Sequence, residues 1–110
     1  MSDVILVVDD DDSMRASTMR LLIARGYAAF AASTGAEAVQ LAAALAPDVI
    51  LMDLHLRHGS GLEAARQIKE KQWLAHIPLI ALTATPPEWD EKLQLFAAVL
   101  VKLCPTAQIL

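Results

Sequence analysis

The sequence predicts a doubly wound α/β fold: one parallel five-stranded sheet with helices on both faces. Two observations carry this. Short continuous apolar runs recur along the chain, and each is followed by a segment with helical spacing. Alternation of this kind implies parallel strands joined by right-handed crossovers. The composition agrees. The chain has 110 residues, 55% of them apolar and only 5% aromatic. That is one domain, 1–110, with enough small aliphatic side chains to fill a sheet buried on both sides.

The elements follow in order. Val4 to Val8, "VILVV", is a β-branched apolar run of the type found in buried parallel strands. Ser13 to Arg25 has Met14, Leu21 and Leu22 at helical spacing, and Gly26 stops it. Tyr27 to Ala32 reads as a weaker strand. "STGAEAVQLAAALAP" is a helix opened by a Thr34/Glu37 capping box and closed at Pro47. "DVILMD" is the second strong strand, and "LHLRHGSG" a glycine-containing loop. Leu62 to Gln72 is helical, with Leu62, Ala65, Ile68 and Lys69 in register. "IPLIALTA" is a strand entered at Pro78, where a missing donor is tolerated. "TPPE" repeats the capping pattern with Pro86 at the first helical position. "AAVLVKL" is the fifth strand, and "CPTAQIL" no more than the beginning of a fifth helix, so the C-terminal helix is expected to be incomplete.

Several classes are excluded or disfavoured by composition. No apolar run approaches the ~18 residues of a membrane span. The N-terminus lacks the basic region of a secretory signal. Cys104 is the single cysteine, which rules out an internal disulfide and fits a reducing, cytoplasmic setting. Net charge is −4 and no basic cluster is present, so the chain itself is not expected to bind nucleic acid or membrane.

In open parallel sheets, ligands bind outside the carboxyl ends of the strands. There the sequence places Asp9 and Asp10 after strand one, Asp53 after strand three, Thr83 after strand four and Lys102 after strand five. Three carboxylates crowded together repel, and a hard divalent cation such as Mg²⁺ offsets that repulsion. A lysine and a hydroxyl beside them complete a site for a phosphoryl group. No Gly-rich phosphate loop occurs, so a nucleotide is not the expected ligand. A carboxylate nucleophile would yield an acyl phosphate. Of the four consecutive aspartates, Asp9 and Asp10 are assigned to the metal. Asp11 and Asp12 are assigned to the start of the helix, where aspartate caps free amides. His55 and His58 read as solvent-exposed loop residues, Trp73 and Trp89 as partly buried anchors.

"LVVDDDDSMR", "DVILMDLHLRHGSGLE", "IPLIALTA" and "VLVK" occur in an order and spacing that resemble the receiver domain of two-component response regulators. The resemblance covers essentially the whole chain. It implies a flavodoxin-like sheet of order 2-1-3-4-5. It implies a signalling module with at most self-phosphorylation and autodephosphorylation activity. By position, Asp53 resembles the phosphoacceptor. Asp9, Asp10, Asp53 and the backbone carbonyl of His55 resemble the Mg²⁺ ligands, and Thr83 and Lys102 the switch hydroxyl and lysine. Gly61 matches the loop glycine before helix three, and Ala84 a small residue beside the phosphoryl group. The implied partner is a histidine kinase or a histidine phosphotransfer protein.

The chain also departs from the family pattern. Leu103 stands where a proline usually follows the lysine, and a trans Lys102–Leu103 bond is expected. Val99 stands where the switch aromatic is usual, Arg57 where the loop usually has proline. The stretch from Thr83 to Lys102 is about three residues short of the usual length, so the fourth helix is expected to be trimmed. With so little of helix five, the face of strands one and five is expected to be exposed. A partner, or a second copy docked through the strand-five face, would cover it. These departures favour a rival reading, a pseudo-receiver acting as a phosphorylation-independent docking or dimerisation module. A Mg²⁺-dependent phosphatase or phosphotransferase for a diffusible substrate is a third, less favoured class, since the chain offers no cap or substrate pocket.

Overall fold

The computed structural model describes residues 3–56, 60–83 and 91–101. Five strands, β1 (Val4–Val8), β2 (Ala28–Ala32), β3 (Val49–Asp53), β4 (Leu79–Thr83) and β5 (Ala98–Val101), form one parallel sheet in the order β2-β1-β3-β4-β5. Three helices are described: α1 (Asp12–Ala24), α2 (Gly35–Leu45) and α3 (Gly61–Glu70). Short 3₁₀ segments follow at Gln72–Leu74 and Glu91–Leu95. The predicted fold class and strand order are the observed ones.

Caps account for the helix starts. Thr34 Oγ1 accepts from the amide of Glu37, 3.1 Å away. Glu37 reaches back to the amide of Ser33, one residue before the Thr34 amide that a capping box would satisfy. Ser60 caps α3 through the amide of Leu62. After α1 the chain turns at Gly26, whose φ of +93° suits glycine.

Among the described residues the helices on the two faces of the sheet are buried to different depths. On one face Leu6, Val8, Ile50, Met52, Leu79 and Ala81 meet α2 and α3 through Ala38, Ala42, Ala64, Ala65 and Ile68. All are buried, and alanines on both helices allow close approach to the sheet. Burying a side chain such as Ile68 or Leu74 stabilises the fold by about 1.5–3 kcal/mol. On the opposite face α1 offers a stripe of Met14, Arg15, Thr18, Met19 and Leu22 that is only half-buried, and no residue of α1 is fully buried.

Several expectations change here. Strand one does not show the expected exposure: Ile5 and Val7 are buried. The exposure falls on β5, where Leu100 is 52% exposed. Trp73 is not a partly buried anchor. It stands 60% exposed beside the Lys71 ammonium, 5.8 Å from its ring centroid, a cation–π contact. Leu62–Gln72 shortens as an α-helix to Gly61–Glu70, because Lys71 is extended and the chain re-enters as a 3₁₀ turn. The part of the fourth helical segment among the described residues is 3₁₀. The capping residues of "TPPE", Trp89, Cys104, the Lys102–Leu103 bond and the start of helix five lie outside the described residues.

Candidate metal and phosphoryl site at the strand ends

Register brings the acidic residues together. Val8 pairs with Met52, so Asp9 and Asp53 are the next residues along adjacent parallel strands. The amide of Asp9 still donates to Ala32 O, 3.1 Å away, which holds this residue to the sheet edge. Asp9 and Asp53 are buried and Asp10 is half-buried. One carboxylate oxygen from each of Asp9, Asp10 and Asp53 lies within 4.8 Å of the others. At that separation two ionised carboxylates repel by about 3–4 kcal/mol at an effective dielectric near 20.

The donor set fits a hard divalent cation. Carboxylate oxygens gathered this closely are within reach of one shared cation, and Mg²⁺ takes carboxylate oxygens together with waters. Among the described residues the three donors of the cluster are all carboxylate oxygens, a set that favours Mg²⁺ over softer metals.

Each carboxylate sits on ordered backbone. The amide of Asp11 donates to Asp9 Oδ1 at 3.0 Å. The amide of His55 donates to Asp53 Oδ1 at 2.9 Å. The loop after Asp53 is drawn closed by an antiparallel bridge between His55 and Ser60 and by the amide of Gly61 on Leu54 O. This fixes the His55 peptide near Asp53, and the His55 side chain is exposed. Gly61 packs directly on the β3 end: a Cβ there would lie 2.2 Å from Asp53 O.

Thr83 is fully buried at the end of β4, one residue past Leu82, the register partner of Asp53. Val101 pairs with Thr83 at the end of β5. Lys102, the next residue in sequence, lies outside the described residues, as do Ala84, Arg57 and His58.

One assignment within the acidic run is corrected. The helix cap is Asp11 alone: its Oδ1 accepts from the amide of Met14 at 2.9 Å. Asp12 is the first helical residue, and its exposed carboxylate pairs with Arg15 at 2.6 Å. Arg15 was not singled out by the sequence. Its other terminal nitrogen donates to the backbone carbonyl of Asp9 at 2.9 Å. The available signal was the Asp12/Arg15 spacing of three residues on a helix.

A parallel α/β sheet with three carboxylates gathered at the ends of its first and third strands defines an acidic strand-end site. A family model for the response regulator receiver domain matches residues 5–99, and the chain belongs to that family. Among curated relatives it is similar to the polar-differentiation response regulator DivK of Brucella ovis, 37% identical over 92 residues, covering 84% of this chain and 75% of that protein. Among solved structures it resembles the response regulator TrrA of Thermotoga maritima in complex with Mg²⁺-BeF, at 28% identity and TM-score 0.86, covering 99% of this chain and 93% of that one. It also resembles the receiver domain of the Pseudomonas aeruginosa sensor histidine kinase PA1611, which has a magnesium ion coordinated in its active-site cleft. That match has 29% identity and TM-score 0.86 and covers 99% and 92% of the two chains. TrrA has also been solved in complex with the histidine kinase ThkA; that match has 29% identity and TM-score 0.82 and covers 94% and 87% of the two chains.

Proposed function

We propose that residues 1–110 act as one receiver domain that accepts a phosphoryl group on Asp53 from a histidine kinase or phosphotransfer protein, in a Mg²⁺-dependent reaction. The observation that carries this reading is the convergence of Asp9, Asp10 and Asp53 within 4.8 Å at the strand ends. Asp9, Asp10, Asp53 and the His55 carbonyl would hold Mg²⁺, which supplies charge neutralisation for the transferring oxygens. Relatives with magnesium and with a bound kinase support both assignments.

In this reading a carboxylate oxygen of Asp53 attacks phosphorus. An O–P bond forms, the P–N bond to the donor imidazole breaks, and the imidazole leaves with its electron pair. The His55 amide on Oδ1 holds the Asp53 carboxylate in one orientation during attack. Thr83 supplies a hydroxyl toward the phosphoryl oxygens and Lys102 a positive charge. Burial of Asp53 and Thr83 keeps bulk water from the resulting acyl phosphate.

Incubation with acetyl phosphate or phosphoramidate and Mg²⁺, followed by intact mass, tests the reading. Wild type gains one phosphoryl group, and Asp53→Asn gains none. No gain in wild type that nevertheless binds Mg²⁺ refutes phosphoryl acceptance. That result favours a phosphorylation-independent docking or dimerisation module, the reading that Val99 and exposed β5 support. Light scattering checks that alternative, since docking of two copies through β5 gives a dimer.

A further inference from the structure

We infer that Arg15 is a positioning residue for the metal site, setting the Asp9–Asp10 carboxylates through the backbone of Asp9. The inference rests on the Mg²⁺ reading above.

The half-buried Arg15 guanidinium forms a two-point bridge. One nitrogen donates to Asp9 O at 2.9 Å, and the other pairs with Asp12 Oδ1 at 2.6 Å. The Asp9 amide is held by the sheet, and Asp12 is the first residue of α1. The bridge therefore clamps the three-residue crossing from strand to helix. The Asp9 carbonyl lies in the peptide plane it shares with Asp10. Fixing that plane fixes the N–Cα bond of Asp10, the axis from which its side chain is carried. Inside the same crossing, the Asp11 amide holds Asp9 Oδ1. A turn clamped at its carbonyl keeps that amide aimed at the carboxylate.

Two effects of Arg15 oppose each other. Its positive charge close to the acidic cluster disfavours a second cation, so deleting the charge alone would tighten Mg²⁺ binding. Its hydrogen bonds preorganise the ligands, so deleting them would loosen binding. The sign of the change separates the roles.

The test is an NMR titration of uniformly ¹⁵N-labelled protein with Mg²⁺, comparing wild type, Arg15→Met and Arg15→Lys. Arg15→Met removes charge and bridge; Arg15→Lys keeps the charge and loses the fork. Both variants are expected to bind Mg²⁺ about tenfold or more weakly. In metal-free protein the Asp11 amide resonance should move in both, because its bond to Asp9 Oδ1 is no longer fixed. Far-UV circular dichroism checks that each variant is folded, and the conservative Lys variant serves if Met is not. Tighter or unchanged binding in Arg15→Met with unchanged binding in Arg15→Lys overturns the positioning role, as does an unmoved Asp11 amide in both. A wild type whose amides at Asp9–Asp11 and Leu54–His55 do not respond to Mg²⁺ overturns the metal reading and this role with it.

Discussion

Replacing Gly61 with alanine tests how tightly the β3–α3 loop is seated on the site. The added Cβ would lie 2.2 Å from Asp53 O, 2.9 Å from the Cα of Leu54 and 3.0 Å from the Asp53 carbonyl carbon. All three neighbours are backbone, so no side chain can swing away. To restore a contact of 3.0 Å, the start of α3 must retreat by about 0.8 Å from the β3 end. The amide of Gly61 already reaches Leu54 O at a long 3.3 Å, and that retreat would break it. Overpacking that forces backbone shifts costs ~1–3 kcal/mol, and the lost hydrogen bond adds ~1 kcal/mol. The expected destabilisation is therefore ~2–4 kcal/mol, read as a lower urea midpoint at unchanged m-value. The His55 amide on Asp53 Oδ1 belongs to the same loop, so Mg²⁺ affinity should fall as well. Destabilisation below about 0.5 kcal/mol with unaltered Mg²⁺ binding would refute the packing argument.

Four further outcomes are expected. Asp11→Ala removes the α1 cap and should lower stability by ~1 kcal/mol in urea denaturation, while Asp12→Ala, which keeps the cap and loses one leg of the Arg15 bridge at a solvent-exposed carboxylate, should stay within ~0.5 kcal/mol. Asp10→Ala should weaken Mg²⁺ binding in calorimetry and, by relieving repulsion, raise the metal-free urea midpoint. At Mg²⁺ of 100 times its Kd, wild type should gain ~2.7 kcal/mol of stability, and Asp10→Ala at the same concentration less. Burial lowers the pKa of the Lys69 ammonium, which donates to Ala75 O and Ile77 O. Between its folded and unfolded pKa the unfolded chain binds more protons, so this group makes stability rise with pH in that alkaline window. An NMR titration of Lys69 should show a lower midpoint in the folded protein than in the urea-unfolded chain.

The sequence made the architecture legible because strand burial leaves a mark at every position. Val4–Val8 carries no polar residue and is found with those bounds. The convergence of Asp9 with Asp53, 44 residues apart, followed from two strong strands that end in aspartate and run parallel. Finer assignments failed where neighbouring residues were chemically equivalent. Asp11 and Asp12 are both competent caps, and only the backbone path selects Asp11, whose φ and ψ are extended. Trp73 was misread because a tryptophan, large and amphipathic, ordinarily buries part of its ring. The helix ends at Glu70, and the 3₁₀ turn that follows buries Leu74 in its place. Arg15 escaped notice because its site contact is to a backbone carbonyl, for which no residue type is diagnostic.

The half-buried seat of α1 also bears on how the molecule opens. A helix without a fully buried side chain separates from its sheet at less cost than α3, which buries Gly61, Ala64, Ala65 and Ile68. Amide exchange in α1 should therefore proceed through sub-global openings well below the free energy of complete unfolding. Such an opening would release the Asp11 cap and the Arg15 bridge together, dismantling the acidic turn while the rest of the sheet stays closed. A cation that binds only the closed turn then acts as a latch on α1, and its occupancy would be written in the protection factors of that one helix.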